Sequence, residues 1–483
     1  MQQTNSERLS FWRKVGFGLG DIYGGGSGVI IGFYYLYFLT DIIRINAALA
    51  GIVILISKVY DAITDPFEGI ITDRTRTRLG RRRPYLLVGI PLVFVSFFLL
   101  FYPVDFNDEI ARFAFVIFSY LFFSTVVSIV MVSYNALAAE LSLDYHERTS
   151  ISSFRIFFST FSSILCAVLP LEIVKLYPNV HQGYIAMAAI FGLLFALPFI
   201  VTVISVRERK EFQRENQPFS WRATFLEPFT VRTFVIVLFM YILAFVAMDA
   251  VSSIVIYFMK YYLGRGDEAN YVSGVLLVAQ VASLPFYVWL SRHTSKKTGY
   301  LVGAFIWLGA MLFSFALVPG GPGWVAYVFA VVVGLGTGGI VVMIYAMLPD
   351  IPDVDELTSG QRREGTYSAL VTFTRKLSSA VALFMISNSL ALAGYRPPVQ
   401  DVVAGVEKLV EQTQTQAFLT ALRLIFVAVP VVLVGAALIF ARLYPLDSLT
   451  HQRLNRVLAA RRRGETGAEL DAEAADLTRK LVR

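Results

Sequence analysis

The sequence predicts an all-α polytopic membrane protein, with twelve transmembrane helices arranged as two six-helix halves. Three observations predict it. The 483 residues are 56% hydrophobic and only 16% charged, with 40 Phe, too apolar a mixture for a soluble globule. Apolar runs of about 20 residues, the length that crosses a ~30 Å hydrocarbon core, recur from end to end. The basic segments between those runs all fall on one side once twelve spans are counted.

The spans are read at 16–40, 47–71, 84–103, 111–140, 151–174, 184–206, 230–262, 269–291, 299–318, 323–348, 366–394 and 416–443. A soluble bundle with that many buried helices would need far more polar surface than this chain owns. The start, "MQQTNSERLSFWRKV", is polar and basic and leads into a full-length span, so no cleavable signal peptide is expected. Arg8, Arg13 and Lys14, the run Arg74–Arg83, Arg207 to Lys210, Arg292 to Lys297, Arg362 and Arg363, and the tail are basic. "YPVDFNDE", "YLGRGDE" and "VPGGPG", on the other side, are poor in Lys and Arg. Both termini are therefore expected in the cytoplasm, with the protein in the plasma (inner) membrane. The formal charge of +7 reads as topology and contact with anionic lipids, not as a nucleic-acid footprint.

The loops also give the organisation. "GIITDRTRTRLGRRRP" follows span 2 and "SRHTSKKTG" follows span 8, equivalent places in two halves. The expected division is 1–206, a cytoplasmic linker 207–229, a second half 230–445, and a tail 446–483. Such repeats belong to transporters, which bind substrate near the midplane. Residues 396–414 read as a longer external loop. "ELDAEAADLTRKLVR" has the pattern of an amphipathic helix, although a charged tail of this kind is ordinarily solvated. The single cysteine, Cys166, excludes a disulfide framework, and four scattered histidines show no metal-ligand spacing. No Walker loop or nucleophile constellation is present, so neither an enzyme nor a bound cofactor is expected.

Inside span 2, "KVYDAITDPFEGIITDR" carries Asp61 and Asp65 one helical turn apart, with Lys58 a turn before. Asp61 lies roughly 18 Å from the cytoplasmic end of the span, near the midplane. Ionised groups there are costly unless paired, neutralised or facing a cavity. A structural pair with Lys58 needs only one carboxylate; two carboxylates favour a proton or a bound cation. Asp21 in the glycine-rich span 1, Arg155 at the start of span 5, Asp249 in span 7 and Lys376 in span 11 are further intramembrane charges. Asp249 reads equally as a helix-pair hydrogen bond, and Arg155 equally as a snorkelling side chain. Lys376 is too deep to snorkel and requires a carboxylate or a cavity.

"YDAITDPFEGIITDRTRTRLGRRRPY", "YNALAAELSLDYHERTSISSFRIFF" and "LPDIPDVDELTSGQRREGTYSALVTFTRK" resemble the glycoside–pentoside–hexuronide:cation symporters of the major facilitator superfamily. The likeness runs over roughly residues 10 to 445. It implies a major facilitator fold and symport of a saccharide or glycoside with Na+ or H+ by alternating access. The implied cation ligands are Asp61, Asp65, Thr64 and Ser128, with the two carboxylates as metal ligands if the ion is Na+. The implied substrate groups are Asp21, Arg155, Tyr134, Asn135, Met131, Thr372 and Lys376. Lys58, Asp73, Arg74, Glu140, Asp350, Asp353 and Arg363 are the implied coupling and gate charges.

The chain departs from the family at Met131, where an aspartate that clamps a galactoside is expected, and near Tyr134, where a stacking tryptophan is expected. Tyr134 is expected to stack on a sugar face instead, in a more apolar pocket, and a galactoside is disfavoured. Thr64 replaces an asparagine ligand. A lysolipid or other amphiphile, carried by animal transporters of the same fold, is the alternative substrate; a non-transporting scaffold has no use for buried charges. The expected partners are a small-molecule substrate and membrane lipids, with the protein a monomer.

Overall fold

The computed structural model describes residues 9–75, 77, 79–80, 82–141, 145–206, 227–360, 363–403, 406–463, 465 and 467–482. Every predicted span coincides with a helical segment. The first comprises α1 (Phe11–Gly18), α2 (Asp21–Ile30) and two π-helical turns, Ile31–Tyr35 and Phe38–Ile42. Then follow α3 (Ala47–Arg74), α4 (Arg83–Leu100), α5 (Glu109–Glu140), α6 (Tyr145–Lys175) and α7 (Val180–Ser205). The later helices are α8 (Arg232–Tyr257), α9 (Ala269–His293), α10 (Lys296–Phe313), α11 (Trp324–Met347), α12 (Ile351–Ser359), α13 (Glu364–Leu392), α14 (Gln416–Leu443), α15 (Ser448–Arg462) and α16 (Ala468–Leu481).

Ten of these segments are long and apolar enough to cross a membrane. The other two expected spans are helical but fall short of that length and hydropathy among the described residues. The first is broken at Leu19–Gly20 and by its π turns, and α3 is continuous but interrupted by Lys58, Asp61, Asp65 and Glu68. Caps sit where the sequence offers them. Asn46 accepts the Ala48 N–H at 2.9 Å before α3, Asp108 that of Ala111 at 3.2 Å before α5, and Ser295 that of Thr298 at 3.1 Å before α10.

The chain forms two compact units. Unit 1 holds Met1–Glu215, Ser252–Gly274 and Leu383–Leu422; unit 2 holds Asn216–Val251, Val275–Ala382 and Arg423–Arg483. In unit 1, α2 packs along α6, α4 between α5 and α7, and α3 on α5. The α2–α6 contact is close because Gly25 and Gly26 put no side chain in the way. A Cβ at Gly25 would meet Ser159 atoms within 2.7 Å, and one at Gly26 would stand 2.2 Å from Ser162 Oγ. In unit 2, α10 packs along α11.

Two local features repeat. The π turn Phe38–Ile42 is followed by Arg44 at φ 62°, and the π turn Phe258–Tyr262 by Gly264 at φ 68°. The Ile43 and Leu263 N–H groups close these turns on Phe38 O and Phe258 O, each at 3.0 Å.

Two expectations are corrected. Residues 396–414, expected as a plain external loop, contain a β-hairpin, β1 (Val399–Val403) antiparallel to β2 (Val406–Val410), with Val399 opposite Val410. Its β-branched "VQDVV" and "VEKLV" have strand rather than helix preference, and Gln414 closes its base by bonding both Arg396 N–H and C=O. The tail is folded rather than solvated. α15 and α16 form a helical hairpin on α12, with Leu454, Val457, Leu477 and Leu481 buried. The hairpin supplies Val482 O to the Arg232 N–H at 3.1 Å, at the start of α8.

Candidate functional site

Asp61 lies in the middle of α3 with only 2% of its surface exposed. Lys58 Nζ donates to Oδ2 at 3.2 Å, and Ser124 Oγ of α5 donates to Oδ1. The adjacent turn is also tied to α5, through Tyr60 and Thr125 hydroxyls at 3.0 Å. Ser128 is buried one turn beyond Ser124 on α5. Thr64 Oγ1, one turn after Asp61, is buried without a hydrogen-bond partner among the described residues. A buried hydroxyl oxygen left that way is costly, and it is a hard donor of the kind Na+ uses. Asp65 lies on α3, and its side chain is outside the described ones. Sequence reasoning missed Ser124, whose spacing on α5 was visible only once α3 and α5 were paired.

The predicted substrate groups of unit 1 come together. Arg155 Nε donates to Asp21 Oδ2 at 3.2 Å and Nη2 donates to Asn135 Oδ1 at 2.6 Å. The guanidinium lies 4.7 Å from the centre of the Tyr134 ring and 6.0 Å from that of Phe17, the two rings stacking 4.7 Å apart. A Cβ at Gly24 would stand 2.6 Å from both Asp21 Oδ1 and Met131 Cε, so the thioether methyl borders the pair. Arg155 is thus anchored, not snorkelling. Tyr134 corrects the stacking expectation: it is fully buried, its hydroxyl donates to Phe17 O at 2.7 Å, and its ring packs on Phe17 and against Arg155. It is a backing plate for Arg155.

In unit 2, Thr372 donates to Ser368 O at 2.9 Å and lines a cavity of about 460 Å³ with Phe234, Tyr345, Tyr367 and Val371. Lys376 is partly exposed on the same helix. The residue beside it, Arg375, was overlooked. It grips Asp249 through both guanidinium nitrogens, at 2.6 and 2.8 Å, and lies 4.9 Å over Phe245. Asp249 is therefore hydrogen-bonded between helices, as its alternative reading had it, with a charged partner.

The gate charges divide differently from expectation. Asp73, Arg74 and Glu140 lie outside the described side chains, and Asp353 is half-buried on α12. Asp350 pairs with Lys296 at 2.5 Å and His451 at 3.7 Å. Arg363 takes both oxygens of buried Asp355, each at 2.7 Å, and also Glu227. Those pairs lie within unit 2. The Asp355 carboxylate holds the Arg363 guanidinium pKa well above its ordinary value. Asp355 was missed because Asp353 precedes it in the same acidic run; the helical turn, closed at Gly360 with φ 65°, selects the second.

Residues 16–448 match the family described as MFS/sugar transport protein. An uncharacterised symporter of Synechocystis sp. is 28% identical over 551 residues, covering 95% of this chain and 98% of that protein. An isoprimeverose transporter of Lactiplantibacillus pentosus is 24% identical, covering 93% and 90%. Sodium-dependent lysophosphatidylcholine symporter 1 of Gallus gallus is 23% identical, covering 99% and 94%. The inward-open xylose transporter XylE of Escherichia coli shares the fold, with a TM-score of 0.61 at 15% identity over 90% of this chain and 96% of that one. The family match runs nearly end to end, and the chain belongs to the MFS/sugar transport protein family.

Proposed function

We infer that the protein is a cation-coupled symporter of a saccharide or glycoside, working by alternating access in the plasma membrane as a monomer, with both termini cytoplasmic. The observation that carries the reading is Arg155, held by Asp21 and Asn135 yet still 20% exposed. A guanidinium and a carboxylate fixed side by side present N–H donors and oxygen acceptors together, which is what a ring bearing hydroxyl groups needs.

Asp61, Asp65, Thr64 and Ser128 receive the coupling cation, a co-substrate. Lys58 holds Asp61 in this structure, and an arriving Na+ or H+ takes over part of that role, leaving the ammonium to its Tyr120 neighbour 5.8 Å away. Cation binding lowers the cost of the buried carboxylates and favours substrate; by linkage, substrate favours the cation equally. The carboxylate and the orphaned Thr64 hydroxyl lean towards Na+. Lys376 and Thr372 are the substrate groups proposed for unit 2.

The second reading is a lysolipid or other amphiphile. Met131 beside Asp21 favours it, as does the likeness to a lysophosphatidylcholine symporter. Uptake by proteoliposomes, under imposed Na+ or H+ gradients, of neutral glycosides, hexuronides and lysolipids separates the two. Gradient-driven accumulation of a glycoside supports the first reading. Accumulation of lysolipid alone replaces it.

A further inference from the structure

The two units carry the same device. In unit 1, an aspartate of the first span, Asp21, meets an arginine of the fifth, Arg155, which lies over the ring of Tyr134. In unit 2, an aspartate of the seventh span, Asp249, meets an arginine of the eleventh, Arg375, which lies over the ring of Phe245. The seventh and eleventh are the first and fifth spans of the second set of six.

We propose that Arg375 and Asp249 form a second saccharide-recognising pair, taking adjacent hydroxyl groups of a neutral, polyhydroxylated ring. The proposal rests on the symporter reading and extends it to a site that the sequence reading did not contain. Three observations separate it from a purely structural ion pair. First, the pair is not sealed: the side chains stay 27% and 18% exposed. Arg375 lies roughly 16 Å along α13 from its start, deep in the membrane. Charges exposed at that depth face a cavity, because exposure to lipid is too costly.

Second, hydrogen-bonding capacity remains. The guanidinium gives one N–H from each terminal nitrogen to Asp249, which leaves further donors, and each carboxylate oxygen keeps a free lone pair. A vicinal diol uses both, accepting from the arginine and donating to the aspartate. Third, the surroundings suit a sugar. Phe245 contacts Tyr345 at 6.1 Å, and Tyr345 lines the 460 Å³ cavity together with Thr372, one turn before Arg375. Because Asp249 already balances the charge of Arg375, the site selects neutral hydroxyls over a carboxylate. Neutral glycosides are therefore preferred to hexuronides.

The test uses the full chain in nanodiscs, with octyl glycosides of glucose, xylose and galactose and the matching glucuronide as probes, read by calorimetry. The wild type is expected to bind a neutral glycoside more tightly than the glucuronide. Asp249→Asn and Arg375→Gln are each expected to weaken it about 10- to 100-fold. The double exchange Asp249→Arg with Arg375→Asp is expected to restore melting temperature but not affinity. Should the single variants unfold, Arg375→Lys, which keeps the charge and loses the fork, is measured with the same expectation. Unchanged affinity in these variants, or full recovery of affinity in the exchange, overturns the second pair. If Asp21→Asn abolishes binding in that case, the symporter reading still stands. Absence of saccharide binding by the wild type overturns both.

Discussion

Lys260 Nζ sits 3.4 Å from Asp41 Oδ1, and the carboxylate has no exposed surface at all. The two residues occupy the paired π turns, Asp41 in Phe38–Ile42 and Lys260 in Phe258–Tyr262. Tyr395 donates to Asp41 at 2.6 Å, Thr40 at 2.8 Å, and Tyr261 donates as well. Lys260 donates to the Tyr37 hydroxyl at 2.9 Å and pairs with Glu411 at 3.0 Å. Segments from three separate stretches of chain are thereby pinned at one place in unit 1.

Burial decides which of these contacts matters. Lys260→Met strands Asp41 among phenols and is expected to destabilise the protein by about 3 kcal/mol, the scale of breaking a buried pair. Glu411 is 58% exposed, so Glu411→Gln is expected to change stability by less than about 1 kcal/mol. Denaturation of the purified variants measures both, and equal losses would refute the ordering.

Lys58 and the coupling cation compete for Asp61. Lys58→Met is expected to lower the Na+ or H+ concentration giving half-maximal uptake, because the carboxylate loses its resident ammonium. Asp61→Asn is expected to abolish gradient-driven accumulation while the protein still folds, since it retains the Ser124 contact. Uptake titrated against cation concentration reads both. A Lys58→Met variant with an unchanged cation requirement would show that the ammonium does not occupy the cation's place.

Most spans were legible because they are apolar runs of bilayer length, and Asp21 and Arg155 because charges are rare there, whereas Asn135 followed only from the family resemblance. Partner choice was not legible. Arg375 and Lys376 are neighbours in sequence but roughly 100° apart on the helix, and only packing showed that the arginine is the one gripping Asp249. Ser124 was hidden likewise among the many serines and threonines of α5. Asp41 and Lys260 stand at span ends, where charges look like ordinary interfacial residues. Their burial depends on Tyr395 and Glu411, more than a hundred residues away.

Tyr134 separates a backing plate from a ligand-stacking ring. Tyr134→Phe removes the donation to Phe17 O and is expected to cost about 1 kcal/mol of stability, with substrate affinity nearly unchanged. Asn135→Ala, by contrast, releases Arg155 and is expected to weaken substrate by about tenfold with little change in stability. Affinity lost in Tyr134→Phe and kept in Asn135→Ala would restore the ring to the binding surface.

The tail gives the last prediction, which joins packing to pH. Leu477 is fully buried in the α15–α16 hairpin, so Leu477→Ala is expected to cost about 2–5 kcal/mol. The hairpin holds the start of α8 through Thr233, whose hydroxyl donates to Leu481 O at 2.6 Å, and through the Arg232 N–H to Val482 O. Loss should therefore reach unit 2 and not stop at the tail. Asp447 caps α15: the Thr450 N–H at 2.7 Å holds its carboxyl below the usual range. Arg456 and then Arg453 do the same for Glu473. Depressed carboxylate pKa values stabilise the fold above the ordinary value of about 4 and lose that contribution as pH falls through the lowered ones. Acidification below about pH 4 is thus expected to loosen the hairpin first, and Asp447→Asn with Glu473→Gln to flatten that part of the pH dependence. Hydrogen exchange at 446–482 and at the start of α8, followed from pH 7 to 3, reads the order of opening. Simultaneous exchange of the whole chain, identical in wild type and the double variant, would show that these caps do not control the tail.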